Sequence, residues 1–520
     1  MTWHENLQHP KARHEAAIVA SKFAERDIAI GGAATHDGWI AHMHAQDQFL
    51  VREQYLGGVE GTQRPQNIPG PSRQRGVLDI LQEHGVVNVE VRRVVRDIVL
   101  VRLNPDRRED TRQDSPESND AAPESNAGNA EGNDRPSGGN GDIPEGEQRD
   151  VLYLLDRIEE EFGPRIATLD HVVTTAQGHP SGCPATEPQE VYDPHPNPYP
   201  PVCPGKGGDG VRIYVADTGI VTGTVASCPW LDGVTGDDDP SVAADGTILP
   251  YGGHGTFVAG VIRSMAPGAE VRVENVFDTA GSALESDFVA KLNAGFAYGA
   301  EIFHVTVASR TKDNNPLMAF EAWMEHLQQH KGVVCVVPAG NSGSRMPSWP
   351  AAFPGIISVG ALATDWRSRA YFSDFGGWVD VYAPGQNLVN AFATGTYTCQ
   401  VAPYESEIRT FSGMAQWSGT SFSTPIVTGL IAARMARCGE SGQEAAAALL
   451  AQARAEAIPG VGPVLLPYCD DDDQCHGGRY GHSRGGGSHG CGGGHGCGCG
   501  GHGCGGDCGR GHGKHGSRPR

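Results

Sequence analysis

A regular alternation of strands and helices between residues 211 and 457 constrains the fold more than any other feature. Short apolar runs typical of buried strands alternate with segments whose apolar residues follow helical spacing. Strands are predicted at 211–216, 271–276, 302–307, 333–337, 356–359 and 379–382, and helices near 255–265, 284–298, 317–330, 421–437 and 442–456. Because parallel strands need crossover connections, this alternation predicts an α/β fold, a mostly parallel sheet with helices on both faces.

The chain before this region has a different pattern. Residues 47–176 are predicted to fold as β-α-β-β-α-β, the ferredoxin-like α+β arrangement, apart from an acidic insert at 104–149 whose composition is typical of disorder. The remaining segments are less regular. They are a polar amino-terminal segment (1–46), a Pro/Gly linker (177–204), the α/β domain itself (205–467) and a disordered Gly/His/Cys-rich tail (468–520).

Charge and hydropathy exclude several classes of protein. The 520 residues include 40 Lys and Arg against 62 Asp and Glu, a net charge of −22, which argues against nucleic acid as a partner. The apolar runs are strand-length, so no membrane segment is predicted. The first residues lack a basic stretch followed by an apolar run, so we expect a cytoplasmic protein, with unconventional secretion as the alternative. For the same reason no disulfide is assumed among the cysteines.

Three polar residues lie at the ends of predicted elements. Asp217 directly follows the strand 211–216, at the edge of a parallel sheet where α/β proteins place their active sites. His254 begins a helix of small residues, and Ser421 begins a long apolar helix. Each has an ordinary interpretation by itself: a turn or cap aspartate, a packed histidine and a helix N-cap.

Taken together, these residues indicate nucleophilic catalysis. A serine hydroxyl needs a neutral histidine to accept its proton, and the histidine needs a carboxylate to orient it. The order Asp, His, Ser along the chain is one of the known convergent orders. Asn341, in the segment Pro-Ala-Gly-Asn-Ser-Gly after another buried strand, adds an amide donor for an oxyanion beside the backbone N–H of Ser421.

These four segments resemble the subtilisin-like serine peptidases over roughly residues 205–465. The resemblance implies a triad of Asp217, His254 and Ser421, with Asn341 and the Ser421 N–H as the oxyanion hole. It further implies a serine endopeptidase that hydrolyses proteins or peptides through an acyl-enzyme, with no cofactor for catalysis. The alternative is a degraded scaffold that serves metal binding or protein interaction.

The sequence departs from the usual pattern of this family at three places. Phe257 stands where a second His is common, and Phe422-Ser423 stands where Met-Ala is common. We expect neither departure to change the role of a catalytic residue. Residues 305–309 replace a Ser-Leu-Gly-Gly stretch. The resemblance makes them substrate-lining and predicts a reshaped pocket, which favours a dedicated processing peptidase over a broad degradative one. The lining candidates are Thr306, Val307, Ala308 and Ser309.

Two regions are candidates for metal binding. Many members of the family bind structural calcium, and the acidic run 237–239 is a candidate, although a solvated loop is the favoured interpretation. In the tail, thiolates and imidazoles suit a transition metal, but their spacing is not that of a zinc finger. Loose metal uptake and a merely flexible tail both stay open. The tail candidates are Cys491, His495, Cys497, Cys499, His502, Cys504 and Cys508.

The resemblance also gives a role to the amino-terminal region. Members of the family are often made with a ferredoxin-like propeptide that assists folding and inhibits the enzyme. Residues 47–176 are therefore expected to be a propeptide-like domain of a self-processing zymogen. Cleavage is expected between about Thr174 and Lys206. A permanent accessory domain is the alternative.

Overall fold

The computed structural model describes residues 28–31, 42–57, 75–103, 150–175, 185–192, 197–205, 207–277, 281–400 and 403–467. All of them belong to one compact unit. The predicted acidic insert (104–149) and the Gly/His/Cys tail (468–520) with its metal-ligand candidates lie outside the described residues.

The first part of the chain, residues 28–175, is called the amino-terminal domain below. Its five strands form an antiparallel sheet in the order β5-β2-β4-β3, with β1 also paired to β2. From β2 onward the elements follow the order β-α-β-β-α-β. The elements are β1 (Ile28–Gly31), β2 (His42–Arg52), α1 (Val77–Glu83), β3 (Val89–Val95), β4 (Ile98–Leu103), α2 (Val151–Phe162) and β5 (Ala167–Thr174). Strand β1 lies in a segment where the sequence predicts no element.

The two helices of the amino-terminal domain cover one face of its sheet. Helix α2 is capped by Asp150, whose side chain accepts a hydrogen bond from the Leu152 N–H at 3.2 Å. Its buried residues Val151, Leu154 and Ile158 follow helical spacing and pack with the sheet residues in one apolar cluster. The opposite face of the sheet is thereby left to meet the rest of the molecule.

The second part of the chain contains a seven-stranded sheet in which every pair of strands is parallel, in the order β14-β13-β12-β11-β6-β9-β7. This confirms the predicted α/β fold. The strands are β6 (Arg212–Asp217), β7 (Thr235–Gly236), β8 (Thr247–Ile248), β9 (Glu270–Asn275), β10 (Ser282–Leu284), β11 (Ile302–Val305), β12 (Val334–Pro338), β13 (Ile357–Leu362), β14 (Val381–Pro384), β15 (Leu388–Thr398) and β16 (Ile408–Trp417). The helices are α3 (Thr222–Ser227), α4 (His254–Met265), α5 (Glu285–Leu292), α6 (Ala294–Tyr298), α7 (Met318–Leu327), α8 (Thr420–Cys438) and α9 (Gly442–Ala455). Three short 3-10 turns cover Glu53–Tyr55, Pro229–Leu231 and Lys312–Asn314.

Some elements differ from the sequence-based expectation. The long antiparallel pair β15–β16, with β8 parallel to β15, forms a second sheet that the sequence pattern did not predict. The predicted helix 284–298 is divided into α5 and α6 at Asn293. In the part of the chain that is described, no helix has the length and apolar character needed to cross a membrane.

The structure shows the state of cysteines that the sequence left undecided. Cys203 and Cys438 are disulfide-bonded. Local sequence shows neither which sulfur atoms the fold brings together nor the redox conditions that the chain meets. Cys335 carries a free, buried thiol in β12, as its apolar surroundings predicted.

Part of the predicted Pro/Gly linker is bound to the second sheet. Gln189 exchanges two backbone hydrogen bonds with Gln416, and Tyr199 exchanges two with Val389. The Trp417 indole N–H donates to the carbonyl oxygen of Thr186 at 2.7 Å. The described parts of this segment, from residue 185 onward, are therefore anchored to the α/β domain.

Strand β5 joins the two domains. It pairs antiparallel with β10, so that Thr174 lies opposite Ser282 and Val172 opposite Leu284. Apolar residues of both domains share one buried cluster, in which Leu50 and Ile98 of the amino-terminal sheet pack with helix residues such as Phe320. The carboxyl end of β5 is thus led along the face of the α/β domain.

Candidate active site

Asp217 and His254 form a buried pair at the carboxyl end of the central strand β6. Asp217 is the last residue of β6, and His254 is the first residue of α4. The His254 Nδ1 atom lies 2.8 Å from Oδ1 and 3.0 Å from Oδ2 of Asp217. A carboxylate on Nδ1 fixes the tautomer of the ring and leaves Nε2 as the basic atom. Within the described residues, Nε2 has no hydrogen-bond partner.

Two further groups hold the Asp217 carboxylate. The Thr306 hydroxyl donates to Oδ2 at 2.7 Å, and the Thr218 N–H donates to Oδ1 at 2.7 Å. Burial by itself would raise the pKa of Asp217. The charge and hydrogen bond of His254, together with the bonds from Thr306 and Thr218, outweigh burial and lower that pKa. Asp217 is therefore held as the anion that a charged histidine requires.

Ser421 is the second residue of α8, and its neighbour Thr420 orients the Asn341 amide. The Asn341 Oδ1 atom accepts from the Thr420 N–H at 2.9 Å and from its hydroxyl at 3.0 Å. With Oδ1 so engaged, the Nδ2 end of the amide is the donor. Gly340 shapes this turn with a φ of +114°, and a Cβ there would lie 2.5 Å from a carboxylate oxygen of Asp374.

Aromatic rings surround His254. The Phe422 ring centroid lies 5.3 Å from that of His254, and the Trp417 centroid lies 5.7 Å from it. Phe257 and Phe422 pack together with centroids 4.4 Å apart. Phe422, the residue after Ser421, therefore packs against the histidine, because helices α8 and α4 lie against each other. Phe257 and Phe422, which belong to two of the three departures from the family pattern, thus pack against each other.

The end of β5 lies as an extended strand in the cleft beside Ser421. Thr174 exchanges two backbone hydrogen bonds with Ala308, at 3.2 and 2.9 Å, and on the other side the Thr175 N–H donates to Gly281. The Ser309 hydroxyl donates to the Val172 carbonyl at 2.9 Å. Two of the predicted lining residues, Ala308 and Ser309, therefore contact this strand.

The Ser421 hydroxyl contacts the same strand. It donates to the carbonyl oxygen of Thr175 at 3.1 Å, and both residues are buried. A polypeptide carbonyl therefore lies within hydrogen-bond distance of the serine oxygen. The hydroxyl is directed to that carbonyl while His254 Nε2 has no partner among the described residues, so the hydrogen bond from serine to histidine is not made in this state. Catalytic hydrogen bonds of this kind often form only in the reacting complex.

The acidic run 237–239 binds protein donors. Asp237 accepts from the Asn275 N–H at 3.1 Å, and the exposed Asp238 accepts from the Thr222 hydroxyl. Asp239 is only 5% exposed, so the solvated-loop interpretation is wrong for this residue. Among the described residues, no group of three or more His, Cys, Asp or Glu side chains could hold a metal ion.

Three buried polar residues near the Asp217–His254 pair were missed in the sequence. Thr218 and Asp239 are hydrogen-bonded to each other at 2.9 Å. His304 in β11 places Nδ1 2.8 Å from the Thr428 hydroxyl, and burial lowers its pKa to about 3. The position of Thr218 directly after Asp217 was the one available signal. Nothing distinguished His304 from a core residue or Asp239 from its neighbours.

Comparison with protein families identifies this half of the chain. The model of the Subtilase family matches residues 208–462. This part of the chain is a subtilase domain. The match includes all four candidate residues, Asp217, His254, Asn341 and Ser421.

Two curated relatives match the subtilase domain, and one of them is a serine proteinase by name. The chain is 31% identical over 268 residues to Thermophilic serine proteinase of Bacillus sp. (strain AK1), a match that covers 49% of this chain and 59% of that protein. It is 29% identical over 267 residues to Thermitase of Thermoactinomyces vulgaris, covering 49% of this chain and 84% of Thermitase. The match to the first relative thus spans about three fifths of that relative's length.

A solved structure, that of a cold adapted subtilisin-like serine proteinase, is 22% identical to the chain. That match covers 55% of this chain and 97% of the other, with a TM-score of 0.39.

Proposed function

We propose that this protein is a serine endopeptidase made as a zymogen, whose amino-terminal domain occupies the active cleft and is removed by self-cleavage. One observation carries the proposal. The Thr175 carbonyl, at the end of the amino-terminal domain, accepts a hydrogen bond from the hydroxyl of Ser421, and the next residue, Phe422, packs against His254. A chain end bound in this way is both an inhibitor and a substrate.

In the proposed first step, the Ser421 oxygen attacks a peptide carbonyl carbon while its proton moves to Nε2 of His254. Asp217 keeps the His254 Nδ1–H in place and stabilises the imidazolium that forms. The carbonyl oxygen becomes an oxyanion, for which the Asn341 Nδ2 group and the backbone N–H of Ser421 are the proposed donors.

In the second half of the reaction, His254 gives its proton to the leaving nitrogen, and the carbon–nitrogen bond breaks. An acyl-enzyme on Ser421 remains. A water molecule then attacks the ester, loses its proton to His254 and releases the new carboxylate, while the proton returns to Ser421. The steps consume one water molecule per peptide bond and require no cofactor.

The proposed site of self-cleavage lies at the bond after Thr175 or the next one. The Thr175 carbonyl is at hydrogen-bond distance from Ser421, and the chain from residue 185 is anchored again to β16 by the Ala185 N–H and the Gln189 pair. Cleavage here would separate the amino-terminal domain and leave the anchored segment on the subtilase domain.

The test compares wild type with Ser421→Ala by intact mass and amino-terminal sequencing, with and without a fluorophosphonate probe. We expect wild type to begin at residue 176 or 177 and to take the probe, and the variant to keep its full length and remain unlabelled. A full-length wild type that takes the probe would contradict processing and support a permanent accessory domain.

If wild type does not take the probe, the amino-terminal domain is removed by a separate protease before the test is repeated. Continued failure to react would contradict the peptidase proposal. An inert scaffold used for metal binding or protein interaction, the alternative from the sequence, would then be favoured.

A further inference from the structure

The peptide backbone on both sides of His254 is fixed by side chains outside the triad. The N–H of Gly253, the residue before His254, donates to Asp239 Oδ2 at 2.8 Å. The N–H of Gly255, the residue after His254, donates to the Thr218 hydroxyl oxygen at 3.1 Å. The histidine therefore sits between two anchored amides.

The same two side chains reach Asp217. Thr218 directly follows Asp217 in the chain and donates its N–H to the Asp217 carboxylate at 2.7 Å. The Thr218 hydroxyl donates in turn to Asp239 Oδ2 at 2.9 Å. The Asp239 carboxylate is thus connected to both members of the pair through hydrogen bonds of ordinary length.

Asp239 is itself held rigidly. Its Oδ1 accepts from the Ser241 N–H at 2.9 Å, and its own N–H donates to the Ile220 carbonyl at 2.9 Å. Burial raises the pKa of Asp239 to about 6, so the group is an anion at neutral pH and accepts all three side-chain bonds. A buried charge of this kind persists only where several donors satisfy it.

We propose that Asp239 is a positioning residue of this peptidase, which sets the geometry of the His254–Asp217 pair by binding Gly253 and Thr218. This inference rests on the proposed function. Asp239 contacts neither substrate nor a reacting atom, so it acts through the placement of His254. Its neighbour Asp238 belongs to the same acidic run but is exposed and binds the Thr222 hydroxyl.

The test uses Asp239→Asn and Asp239→Ala, with Asp238→Asn as the matched control. On mature enzyme, kcat and KM for a peptide substrate are measured per active site titrated with a fluorophosphonate. We expect kcat to fall about tenfold for Asp239→Asn and about a hundredfold for Asp239→Ala, because small misplacement of a catalytic group costs up to about 10²-fold. KM should change less than twofold, and Asp238→Asn should match wild type.

A second measurement needs no turnover. In a Ser421→Ala background, the proton NMR resonance of the His254 Nδ1–H should move or broaden with Asp239→Asn and stay in place with Asp238→Asn. The inference would be overturned if the Asp239 variants had the same kcat per titrated site as wild type and an unchanged resonance. Lack of activity in wild type and Asp238→Asn would instead contradict the proposed function, and the resonance would still decide the role of Asp239.

Discussion

Two buried polar clusters, one in the subtilase domain and one between the domains, differ in how fully their hydrogen bonds are made. In the first, the carboxylates of Asp217 and Asp239 each accept several hydrogen bonds from neighbouring donors, and the atoms without a partner among the described residues are His254 Nε2 and His304 Nε2. The second contains three histidines and Glu285. Atoms without a hydrogen-bond partner, as far as the chain is described, are His42 Nε2, His44 Nδ1, His171 Nδ1 and Glu285 Oε2.

The two clusters therefore differ in how strongly they stabilise the docked state. A buried polar group without a partner costs about 1–3 kcal/mol, which hydration would recover. The first cluster therefore favours one fixed geometry. Separation of the amino-terminal domain would hydrate the unpartnered atoms of the second cluster, which lowers the free-energy cost of releasing that domain.

The second cluster has a defined set of neighbours. The His42 ring centroid lies 5.3 Å from that of His44 and 5.7 Å from that of His171. The subtilase domain presents Glu285, whose Oε2 lies 4.0 Å from His171 Nδ1, and the residues Lys312 and Asp313. The Lys312 N–H donates to His171 Nε2 at 3.1 Å. A further buried carboxylate in this interface, Asp170, binds Gln48 and Ser286.

Burial sets the protonation of these groups in the docked state. It lowers the pKa of His42 to about 4 and of His44 to about 3, and it lowers that of His171 well below 6.5. It raises the pKa of Asp170 to about 6 and that of Glu285 well above 4.5. The histidines are thus docked as neutral rings, and the two acids are docked as neutral carboxyls in mildly acidic solution.

The sign of the pH effect follows from counting protons. Below about pH 6, separation lets three histidines each take up a proton, while Asp170 and Glu285 each release one. The histidine contribution to docking is complete above pH 6.5 and is lost towards pH 4, whereas the acid contribution is present at low pH and is lost as pH rises. The net uptake of one proton predicts docking about tenfold weaker per pH unit between roughly pH 6 and 4.5.

Glu285→Gln should give the largest departure from that behaviour. It removes one of the two groups that release a proton, so the net uptake becomes two protons and docking should weaken about a hundredfold per pH unit. The measurement is amide hydrogen exchange of β5 in full-length Ser421→Ala protein, corrected for intrinsic exchange rates. A slope equal to that of the parent protein would show that Glu285 does not titrate with separation.

Thr306→Val should weaken the support of the Asp217 carboxylate in the first cluster. It removes the hydroxyl that donates to Asp217 Oδ2 and leaves a buried carboxylate oxygen with one donor fewer. Hydrogen bonds to charged groups contribute about 1.5–3 kcal/mol, so kcat should fall about tenfold to a hundredfold. The assay is peptide hydrolysis per titrated site, with Thr396→Val on the exposed side of β15 as the control. An unchanged kcat would mean that Asp217 needs no support from Thr306.

His44→Leu should flatten the pH dependence of docking. The variant has one histidine fewer to take up a proton on separation. Two protons are then taken up and two released, so the docking equilibrium should not change between about pH 6 and 4.5. Docking at neutral pH should become tighter, because a buried ring nitrogen without a partner is replaced by an apolar group. The same exchange experiment measures both effects, and a persisting tenfold slope would exclude His44 from the titrating set.

Ala308→Gly should have the smallest effect. The sequence suggested that Ala308 reshapes the substrate pocket, yet Ala308 already exchanges both backbone hydrogen bonds with Thr174. We expect kcat/KM for peptide substrates to change less than threefold. A gain of tenfold or more would show that the methyl group of Ala308 does restrict substrate binding.

The parallel sheet and the segments that bear the candidate catalytic groups could be predicted from the sequence. Buried parallel strands need continuous apolar runs, and such runs are visible locally. Four candidate residues could be selected because each stands near the end of a strand or the start of a helix, and because their order along the chain fits nucleophilic catalysis. They are Asp217, His254, Asn341 and Ser421. The sheet formed by β15 and β16 escaped prediction, since its pairing depends on partners that local pattern does not reveal.

Which polar groups act together depends on the folded structure. Asp238 and Asp239 are neighbours in one acidic run, but the fold buries Asp239 against Gly253 and Thr218 and leaves Asp238 exposed. The residue after β5 meets Ser421, and His171 of β5 lies beside both Glu285 and the His42 ring of β2, because strands distant in sequence pair at the domain boundary. Hydrogen bonds and desolvation act over a few ångströms in space, so chain order alone does not specify them.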